Sequence, residues 1–323
     1  MKWTAVFVVL ACACGPSSRS GPGDDDGTSG DAGNGTGNGN GNGGSNATGN
    51  GSDGCSDDAK LIYVVDQSNV LAQFNPMTKT FHQLGTLMCP AGNGAQPFSM
   101  AVDRTAQAYV LYEDNKIYKV DTTQTGLPCT VTTWKSPTSP KLQEFGMGYS
   151  TDTVGGTTDT LFVAGGADLS GLGTPPSMST LATIDTTAMT ATQVGSVKGW
   201  PELTGNANAE LWAFFPDVDG MTTPTVAQVD KTTGNFATTY PETSLDGDPA
   251  AWAFGFYGGD YWVFLSITDD PTGLTPPPPS TVYQIAGPMS TSGTPGSVVS
   301  MTPAGSLVIV GAGVSTCAPT TIQ

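Results

Sequence analysis

Val229-Asp230-Lys231-Thr232-Thr233-Gly234 is the end of a strand followed by a turn, and the chain repeats it. Asp230 offers a short carboxylate to the backbone N–H groups ahead of it, and Gly234 takes a later position that needs positive φ. The element recurs as Phe74-Asn75-Pro76-Met77-Thr78, Val120-Asp121-Thr122-Thr123, Ile184-Asp185-Thr186-Thr187 and, in degenerate form, Ile285-Ala286-Gly287-Pro288. From Asn75 onward the copies are 46, 64, 45 and 56 residues apart. Each interval holds four strands and loops of unequal size, which is one blade of a β-propeller.

The strands around each turn line up. Innermost strands read Phe98-Ser99-Met100-Ala101-Val102, Phe145-Gly146-Met147-Gly148-Tyr149, Leu203-Thr204-Gly205-Asn206 and Trp252-Ala253-Phe254-Gly255-Phe256. Small residues suit them because inner strands crowd around an axis. Second strands such as Leu211-Trp212-Ala213-Phe214-Phe215 and Tyr261-Trp262-Val263-Phe264-Leu265 are continuously apolar, as expected of strands packed on both faces. Outer strands, Thr130-Val131-Thr132-Thr133-Trp134 and Phe236-Ala237-Thr238-Thr239-Tyr240, are Thr-rich in keeping with an exposed edge. The first repeat lacks an inner strand and begins at Leu61-Ile62-Tyr63-Val64-Val65, whereas the chain ends with an unassigned strand beginning Leu307-Val308-Ile309-Val310. Moving that strand into the gap gives an all-β fold, a single propeller of five four-stranded blades over residues 55–323, with no free edge.

Four cysteines lie in this domain and allow three pairings. Cys55 and Cys317 flank the turn that the chain termini interrupt in the first blade, so a bridge between them is expected. Cys89 and Cys129 are then left for each other. An exported location permits both bonds.

That location is read from the N-terminus. Residues 1–11 carry one positive charge, Lys2, and an apolar run too short to span a bilayer, which makes them a signal peptide. Val9-Leu10-Ala11-Cys12 resembles a bacterial lipobox, and the resemblance implies cleavage before Cys12 and acylation of its thiol. Ala13 resembles an outer-membrane sorting residue, implying a lipid-anchored protein of the cell envelope on either side of the outer membrane. Residues 12–54 form the tether. From Gly15 to Gly54 there are 15 Gly, six Asn and five Asp, with no Val, Ile, Leu, Met, Phe, Trp or Tyr. Such a segment cannot offset its own ordering entropy and has an r.m.s. span of about 35 Å. Pro97-Phe98-Ser99-Met100-Ala101-Val102-Asp103-Arg104 and Ile309-Val310-Gly311-Ala312-Gly313-Val314-Ser315-Thr316-Cys317 resemble β-propeller repeat lipoproteins of the myxobacterial type. The resemblance covers 55–323 and implies a fold and a location, with no established activity.

Composition narrows the function. Acidic residues outnumber basic ones 28 to 11, for a net charge of −17, which argues against a nucleic-acid partner. A single histidine, His82, sits on an outer strand and supports neither a histidine metal cluster nor a catalytic triad. No G-x-S-x-G, Walker-type, H-E-x-x-H or C-x-x-C motif occurs. Gln96, Glu144, Glu202 and Asp248 stand zero to three residues before inner strands, and Asn206 lies within one of those strands. Converging at the channel mouth, these oxygens would suit Ca²⁺, as in propeller lactone hydrolases, although polar residues at an exposed rim need no ligand to explain them. Asp217-Val218-Asp219-Gly220 and Asp246-Gly247-Asp248 echo part of a calcium loop but lack its bidentate Glu, so they read as acidic turns. Long loops at 165–178, 216–224 and 268–280, the last containing Pro276-Pro277-Pro278-Pro279, should emerge on the channel-mouth face and supply little core. The expected function is a monomeric, membrane-tethered binding or scaffold module for a protein or glycan, without a required cofactor. The alternative is a calcium-dependent hydrolase using the channel-mouth carboxylates.

Overall fold

In four of the five repeat turns an Asx side chain replaces missing backbone partners. Asp230 Oδ1 accepts from the amides of Thr232 (3.0 Å) and Thr233 (2.8 Å), and Asp185 Oδ1 from those of Thr187 (2.8 Å) and Ala188 (2.9 Å). Asn75 and Asp121 do the same. The left-handed position that follows is Gly234 in one turn, but Lys79 and Met189 in two others. Met189 is buried in a core cluster, so packing offsets a backbone conformation that an L-residue disfavours.

These turns join the third and fourth strands of successive blades. The computed structural model describes residues 54–167, 177–216, 223–270 and 275–321. Within them the strands are β1 (Ile62–Asp66), β2 (Val70–Asn75), β3 (Thr80–Thr86), β4 (Pro97–Val102), β5 (Gln107–Tyr112), β6 (Ile117–Asp121) and β7 (Cys129–Val131). They continue as β8 (Glu144–Thr151), β9 (Asp159–Gly166), β10 (Met178–Asp185), β11 (Thr190–Lys198), β12 (Glu202–Gly205), β13 (Leu211–Phe215), β14 (Thr225–Val229) and β15 (Phe236–Pro241). The last five are β16 (Asp248–Tyr257), β17 (Asp260–Thr268), β18 (Thr281–Ala286), β19 (Val298–Pro303) and β20 (Ile309–Val314). They form five four-stranded antiparallel sheets: β20-β1-β2-β3, β4 to β7, β8 to β11, β12 to β15 and β16 to β19. The architecture is a five-bladed β-propeller. As expected, β20 completes the first blade, pairing Ile62 with Val314 and Val64 with Ala312.

Inner strands β20, β4, β8, β12 and β16 neighbour one another around the axis. Their small residues are required: a Cβ on Gly148 would lie 2.7 Å from Leu203 O, and one on Gly313 2.6 Å from Val102 Cγ2. Five clusters of buried apolar side chains fill the space between blades. The pairing of third with fourth strands carries a β-bulge in every blade but the second, which bends the outer edge away. In the second blade the outer strand is shorter than expected: β7 stops at Val131, and Trp134 turns in to pack edge-on against Phe145 of the next blade.

Both disulfides join the expected partners, Cys55 to Cys317 with Cα atoms 5.8 Å apart and Cys89 to Cys129 at 5.1 Å. The expected signal peptide, Cys12 as the expected lipidation residue, residues 12–53 of the expected tether and the acidic turn expected at Asp217-Asp219 lie outside the described residues. No described helix is long and apolar enough to cross a membrane.

Candidate functional site

All inner strands run the same way along the axis, so their first residues converge on one face. Strands β4, β12, β16 and β20 start around a cleft of about 400 Å³. Pro97 and Phe98 come from β4, Glu202 from β12, Ala251 and Trp252 from β16, and Val310 from β20. Trp200, two residues before Glu202, forms another part of the wall. Gln67, Glu113 and Pro277 reach the cleft from connections between second and third strands. The loop containing Pro277 therefore rises on the channel-mouth face, where the sequence put it.

Polar groups in the cleft are arranged unequally. Glu202 is buried and takes a hydrogen bond from the Ser99 hydroxyl across the axis, Oγ to Oε2 3.0 Å. Burial pushes its carboxyl well above the usual range, and hydrogen bonds from Ser99 and the backbone of Met147 and Leu203 oppose that only in part. Glu113 is exposed at the rim and accepts from the Gln96 backbone N–H at 3.0 Å. The Trp200 indole N–H is buried with no acceptor. Phe98 and Trp252 are only partly covered, so both rings present surface to the opening.

The sequence-selected oxygens separate. Gln96 and Glu202 line the same cleft. Glu144 is buried at the start of β8 on the same face, and Asp248 is exposed at the start of β16. Asn206 does not belong with them. It follows the end of β12, so it lies at the opposite face, about 13 Å along the strand from Glu202 at 3.3 Å per residue. Its Oδ1 accepts from the amides of Asn208 (2.9 Å) and Glu210 (3.3 Å), which makes it a turn residue. Among the described residues no three His, Cys, Asp or Glu side chains stand close enough to share a metal ion. His82 is exposed on β3.

A second cavity, about 510 Å³, lies at the opposite face beside the Cys55–Cys317 bridge. Its one cation is committed to structure. Arg104 pairs with Asp159 (3.0 Å) and donates to Gly156 O (2.7 Å) and to the bridge sulfur of Cys55 (3.5 Å).

The aromatic wall was overlooked in the sequence. Trp200 and Trp252 stand beside the same strand starts that single out Glu202 and Asp248, and Phe98 beside Gln96. Reading across those starts for rings as well as oxygens would have found them.

No protein-family model matches the chain, and no curated protein matches it. Similar solved structures include a protein of unknown function from Bacteroides caccae, at 11% identity and TM-score 0.40 over 78% of this chain and 97% of that one. A chain of a nidogen/laminin complex matches at 10% identity and TM-score 0.43 over 78% and 97%. A chain of a mitotic checkpoint complex matches at 12% and 0.36 over 76% and 61%. Likeness of this degree assigns no function.

Proposed function

We propose that this protein is a lipid-tethered binding module of the bacterial cell envelope that takes a protein or glycan ligand on its cleft face. The observation that carries this reading is the axial cleft itself: partly uncovered rings of Phe98 and Trp252 stand beside Gln67 and Gln96 in an opening walled by the starts of separate blades. Concave, largely apolar sites with a few placed polar groups are where proteins take ligands. Cys55, where the chain joins the propeller, is at the opposite face beside Cys317, which leaves the cleft face unobstructed by the junction. Acylation at Cys12 would supply the anchor, because residues 15–54 have no large apolar side chain to hold a membrane.

Two measurements test it. Radiolabelled palmitate should enter the wild-type protein and not Cys12→Ser, and the variant should leave the membrane fraction. Thermal-shift screening of the full chain against glycans and polypeptides should find a ligand whose stabilisation disappears in Trp252→Ala. An unacylated wild-type N-terminus removes the anchor, and ligands that stabilise both proteins equally remove the cleft.

A further inference from the structure

The axial cleft has a chemistry of its own that narrows the ligand. Around the axis β20 lies between β16 and β4, and Val310, Trp252 and Phe98 each line the opening while packing into a different blade interface. Apolar surface from three interfaces, two of them contributing a ring, therefore meets at the cleft. Gln67 and Gln96 stand at its edge, and no lysine, arginine or histidine lines it among the described residues. That lining gives an anionic ligand nothing to pair with.

We propose that the cleft binds a short neutral carbohydrate, laid against Trp252 and Phe98 with its hydroxyls met by Gln67 and Gln96. This deepens the binding-module reading and rests on it.

A pyranose has one face of C–H groups and a circumference of hydroxyls. The C–H face suits an aromatic ring, which is apolar in the body and polarised at its face. Each hydroxyl both donates and accepts, and a glutamine amide offers one group of each kind, so neutral amides match neighbouring hydroxyls without a charge to desolvate. The volume, about 400 Å³, lies toward the small end of ligand pockets and suits a short saccharide better than an inserted protein element.

A cationic side chain is the competing occupant, because rings and carboxyls can hold one. The carboxyls here are poorly placed for it. Glu202 is buried, where its ionised form is disfavoured, and one oxygen is occupied by Ser99. Glu113 is exposed and already accepts from the Gln96 backbone N–H, and an exposed charge contributes little.

The test uses the full-length protein with both disulfides intact. Its tryptophan fluorescence is titrated into the millimolar range with maltotetraose, cellotetraose, mannotetraose and tetra-N-acetylchitotetraose, and separately with tetralysine. The expected result is a saturable change with at least one saccharide and none with tetralysine. Trp252→Ala should weaken that affinity at least tenfold, and Gln96→Ala, at an exposed position that leaves folding untouched, severalfold. Trp134→Phe, in the core of another blade interface, should leave it unchanged. Saturation by tetralysine alone, lost in Trp252→Ala, would overturn the carbohydrate while leaving a binding module in place. Silence with both probe classes, or binding indifferent to Trp252→Ala and Gln96→Ala, would overturn the carbohydrate and the cleft together.

Discussion

Glu242 is a carboxyl with almost no water around it. It is 2% exposed, follows β15, and its Oε1 has no hydrogen-bond partner. Burial raises its pKa to about 7 from an ordinary 4.5. The folded state therefore holds a proton that the unfolded chain releases. Stability from this group is complete below pH 4.5 and falls as pH rises through about 7, by roughly 3 kcal/mol at 1.36 kcal/mol per pH unit. Glu242→Gln removes the titration and keeps the shape. Denaturant unfolding should show the variant gaining on the wild type between pH 4.5 and pH 8; parallel curves would mean that Glu242 stays charged in the fold. Glu202 titrates in the same direction for the same reason, so each substitution must be made alone. Asp230 shows the opposite sign. Hydrogen bonds from Thr232 and Thr233 lower it to about 2, so its contribution is present above the ordinary carboxylate range and is lost as pH falls through about 2.

At the scale of elements, the loop before β18 proves to be anchored at its far end. Ser280 is buried; its Oγ accepts from Ile309 N at 2.9 Å, and its backbone N–H donates to Leu307 O at 2.8 Å. It thus joins the fifth blade to the start of β20, the strand that closes the ring. The expectation that 268–280 supplies little to the folded interior does not extend to Ser280, while 271–274 lie outside the described residues. Ser280→Ala should cost about 1–3 kcal/mol, the desolvation left when a buried amide loses its acceptor. Equilibrium unfolding in urea measures it, and an unchanged midpoint would show that Ile309 N finds another partner. The Cys89–Cys129 bridge acts at the same scale. It ties the segment after β3 to the start of β7, where the second blade has its short outer strand and lacks the bulge of the other four.

For the whole molecule the decisive contact is closure. Strand β20 pairs with β1, and just beyond that pairing Cys55 meets Cys317 across a sequence separation of 262. In the chain-entropy account a loop of that length is worth about 5 kcal/mol. Cys317→Ser, made alone so that Cys89–Cys129 survives, should lower the calorimetric midpoint by roughly 10 °C for a domain of this size. Hydrogen exchange should rise first in β20 and β1. A midpoint unchanged to within a degree would mean that strand pairing alone holds the ring.

Residue types and spacing were enough to establish the repeat, the strand order within blades, the incomplete first blade and the strand that completes it. They sufficed because Asx turns, inner-strand glycines and apolar second strands obey local rules that act over a few residues. The Cys55–Cys317 pair followed once the repeats were laid side by side, and Cys89 and Cys129 were then left for each other. The placement of Asn206 was legible in the sequence, because it ends the inner strand that Glu202 begins and the two must lie at opposite faces. Tertiary structure alone decided what happens where blades meet. It set Ser99 against Glu202, 103 positions apart, and burial there pushes that carboxyl's pKa upward. It also brought Phe98, Trp200 and Trp252 to one opening from blades far apart in the chain. Distances around a closed ring depend on every blade at once, so they exist only after the last strand is in place.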